Sequence, residues 1–213
     1  MNNKIKVLNL YACLGGNRLL WENCVVTAVE LDEELAKLYQ ERFPNDKVIV
    51  ADAHNYLLEN YNNYDFIWSS PPCPSHSRAR FARKNTTKAI YPDLKLYEEI
   101  LFLENYYYGK YCVENVIPYY DPLIPGKKIG RHLYWTNFRL PNNLNERKHS
   151  IMESKNELKK WCEFHNYDFT KYKGNQPVQK IARNLVDYEA GKTIFDLAMG
   201  IIQKPKTDQQ YLF

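Results

Sequence analysis

Five short apolar runs, each closed by an acid, a breaker or a glycine-containing turn, constrain the fold of this chain more than any other feature. They are residues 5–10, 25–30, 47–52, 65–68 and 111–114. Residues 33–43, 56–61 and 92–104 carry apolar side chains at helical spacing between them, the first ending at Pro44. Strands alternating with helices at this interval predict parallel βαβ units in a doubly wound sheet. A turn over residues 11–17, with Gly15 and Gly16, leads into 18–21, which reads as the start of a helix. At 213 residues the chain can hold one α/β domain with a real core plus a minor appendage.

The second half is less regular. Residues 131–138 alternate aromatic and polar side chains and read as a further, antiparallel strand, while residues 78–88 are dense in positive charge, lack apolar periodicity and read as a mobile loop. Residues 141–176 are polar, with a helix expected at 157–163. A single closing helix is expected over 181–198. The resulting division is a core over 1–140, a reduced recognition segment over 141–179, the closing helix of the core over 180–202 and a flexible tail over 203–213. The tyrosines at 106–108 and 119–120, and Trp135, read as packing residues.

Composition narrows the classes. The formal net charge of +4 permits a polyanionic partner without demanding one. Five cysteines without paired or metal-type spacing point to a reducing, cytoplasmic setting and to no metal, and His149 and His165 have no cysteine pair at finger spacing. No apolar stretch approaches the roughly 20 residues that span a bilayer, so no membrane association is expected.

Chemistry collects at the strand ends. Glu30 and Asp52 close two successive strands, where carboxylates can accept hydrogen bonds from ribose hydroxyls and an exocyclic amine, while small residues in the turn let a ligand approach the backbone. The turn lacks a full G-x-G-x-x-G pattern, which favours a nucleoside cofactor without pyrophosphate. Ser70-Pro71-Pro72-Cys73 places a thiol just past the fourth strand, and Glu114-Asn115-Val116 places a carboxylate at the end of the fifth. Both positions lie where open α/β sheets bind ligands.

Taken together these residues resemble the DNA cytosine-5 methyltransferases in their order along the chain. Tyr11-Ala12-Cys13-Leu14-Gly15-Gly16 is similar to the family's first motif, with Cys13 where a glycine is usual. Glu30-Leu31-Asp32 is similar to the second motif and Ala51-Asp52 to the third. Pro72-Cys73 with Ser77 matches the nucleophile motif, with Pro74 where glutamine is usual. Glu114-Asn115-Val116 matches unchanged, and Arg183-Asn184-Leu185-Val186 resembles the last motif in divergent form. The family's arginine strand has Arg131-His132 as its counterpart, and either residue can take the base-contacting role.

The resemblance implies a Rossmann-like S-adenosylmethionine-dependent methyltransferase sheet with a small C-terminal appendage. It assigns Tyr11, Cys13, Gly15, Gly16, Glu30, Leu31, Asp52, Ala53, Pro71, Asn184 and Val186 to S-adenosyl-L-methionine. Cys73 is the implied nucleophile at cytosine carbon 6, Glu114 the proton donor at ring nitrogen 3, and Arg131 a contact to the flipped base. A thiolate near neutral pH is within reach of cysteine where positive charge is close. DNA is the implied partner, with Ser77, Arg78, Arg80, Arg83 and Lys84 on its phosphates. The same chemistry on RNA, or a non-catalytic clamp-associated protein of this fold, are the alternatives. Gln209, Leu212 and Phe213 in the tail resemble the peptide by which bacterial proteins dock to the replicative sliding clamp. The compact size and this tail suit a phage or mobile element, and hence a host cytoplasm.

Overall fold

A computed structural model describes residues 4–144 and 155–201. The elements run β1 (Ile5–Leu10), β2 (Cys24–Glu30), α1 (Glu33–Arg42), β3 (Lys47–Val50), α2 (Ala53–Asn60), β4 (Phe66–Ser69), α3 (Arg78–Ala82), α4 (Lys95–Tyr106), β5 (Lys110–Val116), β6 (Lys127–Ile129), β7 (His132–Thr136), α5 (Glu157–His165), α6 (Val178–Asn184) and α7 (Tyr188–Ala198). Seven strands form one sheet in the order β3-β2-β1-β4-β5-β7-β6. The first five pair in parallel, whereas β7 runs antiparallel to β5 and to β6. The expected α/β class and the antiparallel seventh strand are both present.

Strand periodicity divides the core into two layers. Leu8, Leu10, Ile67, Tyr111, Val113, Leu133 and Trp135 point to one face and pack with Leu57 of α2 and Leu96, Ile100 and Leu103 of α4. Val7, Phe66, Trp68, Cys112 and Tyr134 point to the other and meet Ile194 and Phe195 of α7. Both faces are covered, which explains why the central strands read as nearly unbroken apolar runs. A third cluster joins α1 to the appendage through Leu35, Leu38, Phe169, Tyr172, Ile181 and Ala182.

Several expectations need correction, and one strand, β6, was not expected at all. Residues 18–21 form turns, not a helix. Tertiary contacts hold them there: Trp21 is buried and donates from Nε1 to Gly191 O at 3.0 Å, and Arg18 forks onto Asp46 at 2.9 and 3.0 Å. The single closing helix is two helices. Leu185 is extended, Asp187 caps α7, and the strand-like break lies on the first turn, where a Cβ on Gly16 would sit 2.5 Å from Val186 O. The basic segment contains a short helix, α3, capped by Ser77 Oγ accepting from Ala79 N–H. Finally, β6 pairs with β7 without an apolar run of its own, because its partner supplies the ladder. Tyr107 packs as expected, but Tyr106 and Tyr108 are exposed.

Candidate active site

The strand order reverses between β1 and β4, so the loops leaving their carboxyl ends run in opposite directions and leave a crevice. A cleft of about 710 Å³ opens there. Its wall includes Tyr11, Cys13, Gly16, Glu30, Leu31, Asp52, Ala53, Pro71, Cys73, Ser77, Glu114, Arg131, Asn184 and Val186. Every cofactor residue expected from the sequence lies on this wall except Gly15, which sits at φ +66° against the rings of Tyr39 and Phe43. Arg78, Arg80, Arg83 and Lys84 lie outside it, on α3 and the turn after it.

The first half of the cleft is built by backbone amides and strand-end acids. Glu30 accepts from Cys13 N–H at 2.8 Å and from Asp32 N–H at 3.0 Å, which locks the turn to the end of β2. Burial pushes its carboxyl up, and these amide bonds oppose the rise. A carboxylate has about four acceptor positions, and the backbone amides of Cys13, Leu31 and Asp32 leave room for a ligand hydroxyl. Asp52 caps α2, with Asn55 N–H holding its carboxyl below the usual range and Lys95 Nζ at 3.7 Å. Leu31 is 67% exposed although it lines the cleft, leaving an apolar surface for a flat ring. Two strand-end carboxylates flanking an apolar side chain fit an adenosine-type ligand such as the usual methyl donor of methyltransferases.

Cys13 occupies φ +46°, a left-handed conformation that L side chains avoid and glycine accepts. That is the physical reason a glycine suits this position. Tyr11, at φ +55°, is tied down by a bond from its hydroxyl to Glu99, a carboxylate 1% exposed that also accepts from Ser69 Oγ at 2.6 Å and lies 3.1 Å from His54 Nδ1. Nothing in the sequence pattern marked Glu99, because its neighbours in α4 give it only helical spacing.

The second half of the cleft joins β4 to β5. Parallel pairing sets Ser69 opposite Val113, so Ser70 and Glu114 are next in register. Ser70 Oγ donates to Glu114 Oε2 at 3.0 Å and accepts from Trp68 Nε1–H at 2.8 Å. On the other side, His132 Nε2 lies 3.4 Å from Glu114 Oε1, brought there by the antiparallel pairing of Val116 with His132. Of the two residues the sequence left open, His132 meets the Glu114 carboxylate while Arg131 stands on the cleft wall. Ser70 and His132 were legible only through strand register.

Cys73 lies in the loop after β4, beside two prolines whose missing N–H groups end the ladder. Asn115 Nδ2 donates to Pro71 O at 2.9 Å, and the amides of His76 and Ser77 donate to Cys73 O at 3.0 and 3.1 Å. Burial and the Glu114 charge push the Cys73 thiol up, and Lys180 on α6 pulls it partly back. The expected favouring of the thiolate by positive charge comes from Lys180, and burial and Glu114 outweigh it. Gln209, Leu212 and Phe213 lie outside the described residues.

Comparison with known proteins fits this geometry in two stages. A methyltransferase from Entamoeba histolytica, EhMeth, superposes with a TM-score of 0.54 at 11% identity, covering 94% of this chain and 99% of that one. The class is therefore the Rossmann-like methyltransferase fold. Residues 5–101 match the family model of the C-5 cytosine-specific DNA methylases, a stretch that includes the Cys73 loop. Type II methyltransferase M.Bsp6I of Bacillus sp. (strain RFL6) is 30% identical over 113 residues, 47% of this chain and 36% of that protein. The chain thus covers little more than a third of this relative's length. Glu114 lies beyond the family match, and it is the sheet that brings it beside the Cys73 loop. Among the described residues no helix is long and apolar enough to cross a membrane, and no group of three His, Cys, Asp or Glu is placed to hold a metal ion.

Proposed function

We propose that this protein transfers a methyl group from S-adenosyl-L-methionine to carbon 5 of cytosine in DNA, through a covalent Cys73 adduct on a flipped base. The observation that carries this reading is the convergence of Cys73 and Glu114 on one cleft whose other end is framed by Glu30 and Asp52. Carbon 5 of cytosine is too weak a nucleophile to be methylated directly. Addition of the Cys73 sulfur at carbon 6 pushes electron density to carbon 5 and negative charge to nitrogen 3. Glu114 donates a proton at nitrogen 3, relieving that charge.

Glu30 and Asp52 bind the ribose and adenine of the donor, and the donor supplies an electrophilic methyl group. Ser70 and His132 orient the Glu114 carboxyl. Arg131 reaches the base from the cleft wall. Water takes the carbon 5 proton, the electron pair of that bond forms the 5,6 double bond as the carbon 6–sulfur bond breaks to release the Cys73 thiolate, and Glu114 takes back the proton from nitrogen 3. The base is unreachable inside a duplex, so extrusion at a cost of a few kcal/mol is required. α3 and the turn after it present Arg78, Arg80, Arg83 and Lys84 to the phosphates.

Incubation with labelled donor and DNA, followed by nucleoside analysis, yields 5-methylcytosine on this reading, and Cys73→Ser abolishes it. Methyl groups on the exocyclic nitrogen, on RNA alone, or transferred equally by the variant would overturn it. The tail peptide ending in Leu212 and Phe213 docks to a sliding clamp on the same reading. Calorimetry with and without the final five residues tests that separately, and absence of heat with the intact chain ends it.

A further inference from the structure

The sequence from Phe66 to Pro92 contains no Asp or Glu and carries Arg78, Arg80, Arg83, Lys84 and Lys88. Within it, the Phe81 ring on α3 lies flat on the Tyr119 ring, with centroids 4.7 Å apart and an interplanar angle of 0°. Phe81 is 46% and Tyr119 36% exposed, so the pair lies at the surface and does not fill the core. This corrects the expectation that Tyr119 is a packing residue. Lys84 Nζ sits 5.0 Å from the Phe81 centroid, a surface cation free to exchange its place for a phosphate contact.

The pair is held in fixed relation to the Cys73 loop. Tyr119 N–H donates to His76 O at 3.1 Å, Arg78 Nε donates to Pro118 O at 3.0 Å, and Ser77 bridges to Pro118. The same loop turns on the Cys73 carbonyl, which accepts from the His76 and Ser77 amides. Arg80 donates to Lys88 O and folds the chain back so that Lys88 flanks the helix. An exposed aromatic surface edged by cations, with no acid in the segment, matches what a single strand offers: π-faces alternating with phosphates. Bases within a duplex have their faces already covered by neighbours.

We propose that Phe81 and Tyr119 form a base-stacking platform for unpaired DNA beside the target cytosine, with Arg80, Arg83 and Lys84 on its phosphates. This rests on the reading of the protein as a DNA methyltransferase but is tested without turnover. Binding of a fluorescent single-stranded oligodeoxynucleotide to the full chain is followed by anisotropy across a salt titration. Phe81→Leu and Tyr119→Leu keep apolar bulk and remove the π-face; each is expected to weaken binding about tenfold with an unchanged salt slope. Phe81→Trp and Tyr119→Phe are expected to retain it. Arg83→Ala and Lys84→Ala should instead lower the magnitude of the slope by about 0.7 each.

A duplex carrying unpaired bases beside the target cytosine should bind the parent more tightly than a fully paired duplex, and the leucine variants should lose that margin. Leucine variants that bind the single strand like the parent, or a parent that binds the two duplexes equally, would overturn the platform even if methyl transfer is observed. Aromatic-dependent binding with no methylated product would keep the platform and defeat only the methyltransferase reading. Melting temperature and donor binding of each variant separate loss of stacking from loss of fold.

Discussion

The Asn115 side chain donates from Nδ2 to the carbonyl oxygen of Pro71 at 2.9 Å, fastening the end of β5 to the loop that presents Cys73. The bond is buried, and Asn115 Oδ1 accepts from Val116 N–H at 2.9 Å as well, so the amide is held at both ends. Replacing Asn115 with alanine strands a buried carbonyl, a loss of about 1–3 kcal/mol. The expected result is a fall in melting temperature of several degrees by calorimetry, with methyl transfer reduced further because the loop no longer aims the thiol. An unchanged melting temperature would show that the fastening is idle.

The thiol of Cys73 should titrate above an ordinary cysteine, since burial and the Glu114 charge both disfavour the thiolate. Glu114→Gln removes a negative charge from the pair, so the thiol pKa must fall. Alkylation of the Cys73 peptide, followed by mass spectrometry as pH is raised, should show its midpoint shifted to lower pH in the variant. Methyl transfer by that same variant should nevertheless drop by at least about a hundredfold, because a general acid contributes on the order of 10² to 10⁴ in rate. A midpoint that does not move would remove Glu114 from the electrostatics of the thiol.

Cys13 sits at φ +46°, where an L side chain costs about 1–2 kcal/mol and glycine is relaxed. Cys13→Gly should raise the melting temperature by a few degrees, less whatever the greater chain entropy of glycine takes away. Cys13→Val, with a branched side chain, should lower it. Thermal unfolding of the three proteins decides this, and a valine variant as stable as the parent would contradict the strain.

His54 is raised above its ordinary value of 6.5 by its hydrogen bond to Glu99, against opposing burial. A raised folded-state pKa stabilises the fold fully below the unfolded value, and this contribution disappears as pH climbs through the raised one. The parent should therefore lose stability relative to His54→Gln as pH rises from about 6 through neutrality. Parallel melting curves against pH would show the two converging. Curves that remain a constant distance apart would exclude the imidazolium.

How much was legible without coordinates differs by element. The strands β1 to β5 could be read because each carries its own apolar run, and residues buried on both faces leave that mark wherever the chain goes. Glu30, Asp52, Cys73 and Glu114 could be read because each sits at the end of such a run. Residues 18–21 misled because Trp21 is apolar for the sake of α7, and Asp46 claims Arg18 from another loop. The closing segment misled because its break serves the close approach of Val186 to Gly16, which lies more than 160 residues earlier.

The order of acids, breakers and apolar runs was enough to determine the layered α/β architecture and the set of strand ends where chemistry could gather. Local composition determines local structure, and parallel strands must all point their carboxyl ends one way. Which side chains meet there was decided only by the tertiary fold. Register set Ser70 and His132 on either side of Glu114, an amide tied Pro71 to Asn115, and a surface stack joined Phe81 to Tyr119. Such pairs form between segments tens of residues apart, and nothing in either segment alone encodes the distance between them.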